Sequence, residues 1–160
     1  MVQAYNFLAS WQLFPEKGAY EKGDRPKSGI YKIEAVEGKK ELRIFHNWLS
    51  LENQAFASNY TILADGDLHP LPESEGADKV QALFPDGITF EIHFYRGGQT
   101  ILHVVHEIMP NGYLRVTQQG ELENGQAYTN MEYYHKQMSV LPYAASVSGA
   151  VIRPTDEGMI

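Results

Sequence analysis

The chain has 160 residues, 20 acidic against 13 basic side chains for a formal charge of -7, and no cysteine. That length suits one domain, residues 1–160, with a sizeable core. The negative charge and the lack of a Lys/Arg block argue against nucleic acid as a partner, and the absence of thiols excludes disulfides, a cysteine nucleophile and cysteine-ligated zinc. Residues 1–10 lack a basic start followed by an apolar stretch, and no 18 apolar residues run together, so a soluble, cytoplasmic protein without a membrane span is expected.

In chain order, residues 4–13 read as a short helix or irregular cover, and with the Gly-rich, charged stretch 15–28 they make residues 1–28 an N-terminal cap. Strands are expected at 29–36, 40–49, 54–63, 77–84, 88–95, 99–108, 113–121 and 126–136, each rich in aromatic and β-branched residues. The stretch 65–76, with Pro70, Pro72 and several acids, reads as a loop, and 137–160 as an irregular tail. Glu37-Gly38, Asp65-Gly66, Asp86-Gly87, Gly97-Gly98, Asn111-Gly112 and Asn124-Gly125 punctuate these runs with the positive φ angles that hairpin turns require.

The turns set expected registers. Pro85-Asp86-Gly87 places Phe84 opposite Ile88, Ala82 opposite Phe90 and Val80 opposite Ile92. A two-residue turn at Gly97-Gly98 places Phe94 opposite Ile101 and Ile92 opposite His103, so the apolar face continues to Val105 and Glu107. Lys79, Gln81, Thr89, Glu91, His93 and Thr100 fall on the wet face. A three-residue loop at Pro110-Asn111-Gly112 would bring Arg115 onto the apolar face; a loop one residue longer pairs Met109 with Leu114 and Glu107 with Val116, and is preferred. The face then runs through Gln118 to Met131, Tyr133 and His135. On the first hairpin, Tyr31 and Ile33 align with Leu42 and Ile44, followed by His46 and Trp48. Consecutive hairpins sharing one apolar face predict an all-β, antiparallel up-and-down barrel of about 8 to 10 strands.

Trp11-Gln12-Leu13-Phe14-Pro15-Glu16-Lys17 followed by Ser28-Gly29-Ile30-Tyr31-Lys32-Ile33, with a basic residue on the last strand, resembles the calycins, the superfamily of lipocalins and fatty-acid-binding proteins. It is similar in particular to lipocalin-like bacterial proteins of unassigned function, although Ala9-Ser10-Trp11 replaces the Gly-x-Trp with which lipocalins open. The resemblance implies a Trp packed under a basic side chain of the last strand, a role open to Lys136, and a ligand-holding interior.

The inward residues expected to contact such a ligand are His46, Trp48, Phe90, Phe94, His103, Glu107, Gln118, Tyr133 and His135, a mostly apolar wall with a few polar groups. The expected function is binding of a small apolar or amphipathic molecule. Two alternatives stand beside it: an enzyme using Glu107 and His103 as an acid-base pair, and a protein-interaction module whose barrel is filled by its own side chains. No serine lies in a nucleophile elbow and no Gly-rich phosphate loop precedes a helix, so no catalytic residue is expected. His103 and His106, three apart on a strand, point to opposite faces and make no zinc site. Asp65-Gly66-Asp67 reads as a turn rather than a calcium loop. Some calycin-like barrels bind haem through a His, but His135 has no supporting motif. No metal and no cofactor are expected, and the oligomeric state is left open.

Overall fold

The computed structural model describes residues 4–36, 41–71 and 76–137. The Glu37-Gly38 turn and the tail from 138 onward lie outside them. Apolar and polar side chains alternate along antiparallel strands, which puts every second residue on one face. The strands are β1 (Ala9–Leu13), β2 (Ala19–Tyr20), β3 (Ser28–Ala35), β4 (Glu41–Leu49), β5 (Ala55–Leu63), β6 (Leu68–Pro70), β7 (Lys79–Asp86), β8 (Thr89–Arg96), β9 (Gln99–Ile108), β10 (Leu114–Glu121) and β11 (Ala127–Lys136). Their order is β5-β4-β3-β1-β11-β10-β9-β8-β7-β6, with β2 added to β11. This is a nearly closed up-and-down barrel. Side chains reach across the interior from the end strand β5, Tyr60 standing edge-on to Phe94 of β8 at 5.8 Å.

Three strands lie outside the eight expected from sequence. β1, inside the segment read as a cap, joins the first hairpin to the last strand, with Trp11 beside both Tyr31 and Lys136. β6 lies in the stretch read as a loop, and β2 is a two-residue extension alongside β11. The helical turn at Tyr5–Phe7 packs on β7 and β8: Phe7 is buried against Phe84 and Phe90, with ring centroids 5.7 and 6.0 Å apart. Trp11 is 1% exposed and donates its Nε1–H to the Phe7 carbonyl at 3.0 Å. Lys136 Nζ lies 5.5 Å over its ring.

The registers differ from expectation in a way that reverses two strands, β9 and β11. The loop at Pro110-Asn111-Gly112 has three residues, closed by Met109 N–H donating to Tyr113 C=O at 2.8 Å. Loops 51–53 and 123–125 are built alike, and in all three the last residue is left-handed: Asn53 at φ 68°, Gly112 at 87° and Gly125 at 84°. This is the three-residue hairpin with a residue in the αL region. The irregularity expected at Pro110 lies upstream instead. Phe94 pairs with Leu102 but Tyr95 with Thr100, a bulge beside Gly97-Gly98 that shifts β9 by one residue. A one-residue shift exchanges faces, so Val104 and His106 point inward in place of Val105 and Glu107. The three-residue loop 110–112 cancels the exchange, so Leu114, Val116 and Gln118 of β10 face inward as expected. The three-residue loop 123–125 then pairs Leu114 with Tyr134 and Val116 with Glu132, so that Glu132 and Tyr134 of β11 point inward in place of Met131, Tyr133 and His135. The Pro85 turn is also bulged, pairing Val80 with Phe94 and Ala82 with Ile92. That is two residues from the expected register, so the faces there are unchanged. Among the described residues no helix is long and apolar enough to cross a membrane.

Candidate functional site

The inward set on β3, β9 and β11 carries a buried polar network. Glu132, 7% exposed, accepts hydrogen bonds from Tyr134 on Oε1 at 2.8 Å and from Tyr20 on Oε2 at 2.7 Å. Two hydroxyl donors to one carboxylate are what makes its burial tolerable. Burial first, and then the Glu132 charge, push the Tyr134 and Tyr20 hydroxyls far above the usual phenol range, so both stay protonated and keep donating. The Tyr134 oxygen also lies 3.4 Å from His46 Nε2. Burial pulls the His46 pKa down, opposed by Glu132.

A second chain starts at His106, which is fully buried. Its Nδ1 lies 3.0 Å from the Phe90 carbonyl, which can only accept, so the proton sits on Nδ1 and Nε2 accepts from the Tyr31 hydroxyl at 2.8 Å. Burial first, and then the neighbouring Tyr60, raise the Tyr31 pKa well above the usual phenol range, so the hydroxyl stays protonated and keeps donating. Burial holds the His106 imidazole down at about 4, against 6.5 ordinarily. Above pH 6.5 both folded and unfolded chains carry it neutral; as pH falls toward 4 the unfolded chain takes up a proton that the folded one refuses. Stability is therefore lost across that window, approaching roughly 3 kcal/mol from this residue, and His46 acts in the same direction. Urea unfolding at pH 7 and 4.5 should show the loss, and His106→Gln should flatten the slope relative to wild type.

Between these groups and the sheet ends lies a cavity of about 260 Å³. Ile44, Ala77, Phe94, Ile101, Leu102 and Val104 form its apolar wall, and Tyr31, His46, Ser58, Tyr60 and Gln118 its polar points. It reaches the surface past Ser58 and Ile101, the latter 39% exposed. Gln118 projects into it with no hydrogen-bond partner among the described residues. The wall contains no Lys or Arg.

Of the residues expected at the site, His46, Phe94 and Gln118 line this cavity. Phe90 points inward but is packed into the core, stacked on Phe84 at 4.4 Å and on His106 at 5.0 Å. Trp48 stacks on Phe56 at 5.2 Å and borders a separate, shallower cleft with Gln12 and Ala55. The other four lie on the outer face. His103 stacks on His93, Glu107 accepts from Arg115 Nη2 at 2.9 Å, Tyr133 meets Met131, and His135 sits beside Phe14 and Tyr113. The Glu107/His103 acid-base pair is accordingly absent from the barrel, because the β8–β9 bulge turns both residues outward. His106 was missed for the same reason, Glu132 and Tyr134 through the register of loop 123–125, and Tyr31 and Tyr60 as plain strand aromatics. One signal was present: Leu102, Val104, His106 and Ile108 make a less polar β9 face than Ile101, His103, Val105 and Glu107.

No family model matches the chain, and no curated protein does. Among solved structures, a redesigned β-barrel resembles it over 86% of this chain and 96% of that one, at 11% identity and a TM-score of 0.45. The strand order and registers described above, rather than that likeness, establish the architecture as a nearly closed antiparallel β-barrel.

Proposed function

We propose that the barrel is a calycin-like binder of a compact, uncharged amphipathic molecule. The observation that carries this reading is the cavity of about 260 Å³, in which an unpartnered Gln118 amide stands beside an apolar wall of Ile44, Phe94, Leu102 and Val104. An apolar cavity of about 150 Å³ suffices for benzene, while drug-sized sites begin near 300 Å³, so the occupant is a one- or two-ring molecule or a short chain. A Gln amide both donates and accepts, and suits a hydroxyl, amide or carbonyl head. With no cation in the wall and Glu132 behind Tyr134, a carboxylate ligand would enter unpaired, which disfavours anions. The Lys136 ammonium over Trp11 supports the calycin side of the reading, since the resemblance implies that pairing.

Calorimetric titration with 2-naphthol, and with 2-naphthoate as its anionic counterpart, tests this. Saturable binding of the neutral probe alone is expected. Val104→Phe should abolish it by filling the cavity, and Gln118→Leu should weaken it roughly 3- to 10-fold, the worth of one hydrogen bond. Absence of binding, or binding unchanged in a folded Val104→Phe, would overturn the reading.

A further inference from the structure

The outer face of β8 and β9 carries a cluster that the barrel interior does not use. His93 and His103 are directly paired across the two strands, and Glu91 precedes His93 by two residues, so all three share one face. The imidazoles lie parallel, with centroids 4.1 Å apart and 14° between planes. Both Nε2 atoms aim at the same carboxylate oxygen, Glu91 Oε1, at 3.3 Å from His103 and 3.4 Å from His93. Potential ligand atoms of the three side chains all lie within 4.8 Å of one another, and each side chain is half-buried.

The distances discriminate between two uses of this arrangement. Charge-assisted N–H···O bonds settle near 2.7–2.9 Å, so 3.3 and 3.4 Å are long for two imidazoliums gripping one carboxylate. In a tetrahedral site with Zn–N and Zn–O bonds of about 2.0–2.1 Å, by contrast, neighbouring ligand atoms stand about 3.3–3.4 Å apart. The spacing seen is that of ligand atoms around an ion. Stacked rings at 4.1 Å also do not comfortably hold two positive charges.

The geometry points to a divalent transition-metal site on the outer face of the barrel, in which Glu91 Oε1, His93 Nε2 and His103 Nε2 bind Zn²⁺ and solvent occupies the fourth position. Imidazole and carboxylate donors suit Zn²⁺ and its neighbours rather than Ca²⁺ or Mg²⁺. The ligands sit on adjacent paired strands, so little ordering is needed on binding, and the chain's overall charge of -7 draws a cation toward it. The site is separate from the cavity: His103 points away from the side of β9 on which Val104 lines that space.

The test is calorimetric titration of the full chain with Zn²⁺ at pH 7.5 in a non-chelating buffer, alongside absorption spectra with Co²⁺ as the probe. One equivalent per chain and the visible bands of four-coordinate Co²⁺ are expected. His93→Asn and His103→Asn should each weaken binding at least 100-fold, and Glu91→Gln at least 10-fold, whereas His69→Asn, at a surface His paired with Asp65, should change nothing. X-ray absorption of the Zn²⁺-loaded wild-type protein gives a reading free of any variant's folding, and two imidazole ligands are expected. Absence of stoichiometric binding, fewer than two imidazoles, or undiminished affinity in a folded His103→Asn would overturn the proposal.

Discussion

Replacing Glu132 by alanine should lower the unfolding free energy by roughly 2–4 kcal/mol, because it takes the carboxylate acceptor from one buried and one half-buried hydroxyl, at about 1–3 kcal/mol for the buried one and less for the other. Those hydroxyls belong to Tyr20 and Tyr134, bonded to the two carboxylate oxygens at 2.7 and 2.8 Å. Tyr20 comes from the two-residue strand β2, whose backbone pairs with β11 at Asn130 and Met131. The carboxylate therefore pins an N-terminal segment as well as the core. Glu132→Gln should cost clearly less, since one oxygen still accepts and a Tyr hydroxyl can turn to receive the amide hydrogen. Urea unfolding of the three proteins checks both statements. An alanine variant within about 0.5 kcal/mol of wild type, the range of an ordinary surface substitution, would show that water replaces the carboxylate at no cost.

Trp11→Ala should be the most damaging single change in the N-terminal segment, at about 3–5 kcal/mol, the usual cost of truncating a buried aromatic. The ring is 1% exposed on the strand that joins β3 to β11, and its Nε1 holds the Phe7 carbonyl. Phe7 in turn packs on Phe84 and Phe90, so the loss should reach β7 and β8. Trp11→Phe separates the contributions: it keeps most of the packing and gives up one hydrogen bond, about 0.5–1.5 kcal/mol. Lys136→Met should cost no more than about 1 kcal/mol, because a cation over an aromatic ring at the surface contributes little. Equal losses for Trp11→Ala and Trp11→Phe would mean that the hydrogen bond, not the packing, holds the segment.

The reach of sequence reasoning depends on what each element exposes to local inspection. Strands β3, β4, β7 and β8 were legible in extent and face because apolar alternation is strict there and a two-residue register error does not change the face. β1 was not legible: a five-residue strand beginning Ala9-Ser10 has no alternation long enough to count, and it becomes a strand because β3 and β11 offer it backbone partners on both sides. His46, Phe94 and Gln118 were placed in the cavity region from pattern alone. His103, Glu107, Tyr133 and His135 were not: the bulge between Phe94 and Tyr95 accounts for the first two and the three-residue loop 123–125 for the last two.

What the amino-acid sequence determined by itself is the antiparallel barrel, the hairpin succession and the aromatic interior, since turn residues with positive φ and period-two hydrophobicity are properties of neighbouring residues. Which of two faces β9 and β11 turn inward was decided only by tertiary structure. A glycine-flanked bulge is nearly neutral locally, and its position is chosen by which face the rest of the barrel can bury. Burying His106 and Glu132 with Tyr31, Tyr20 and Tyr134 satisfies their polar atoms across strands far apart in sequence. The same choice sends Glu107 to Arg115 and His103 to Glu91 and His93 on the outside.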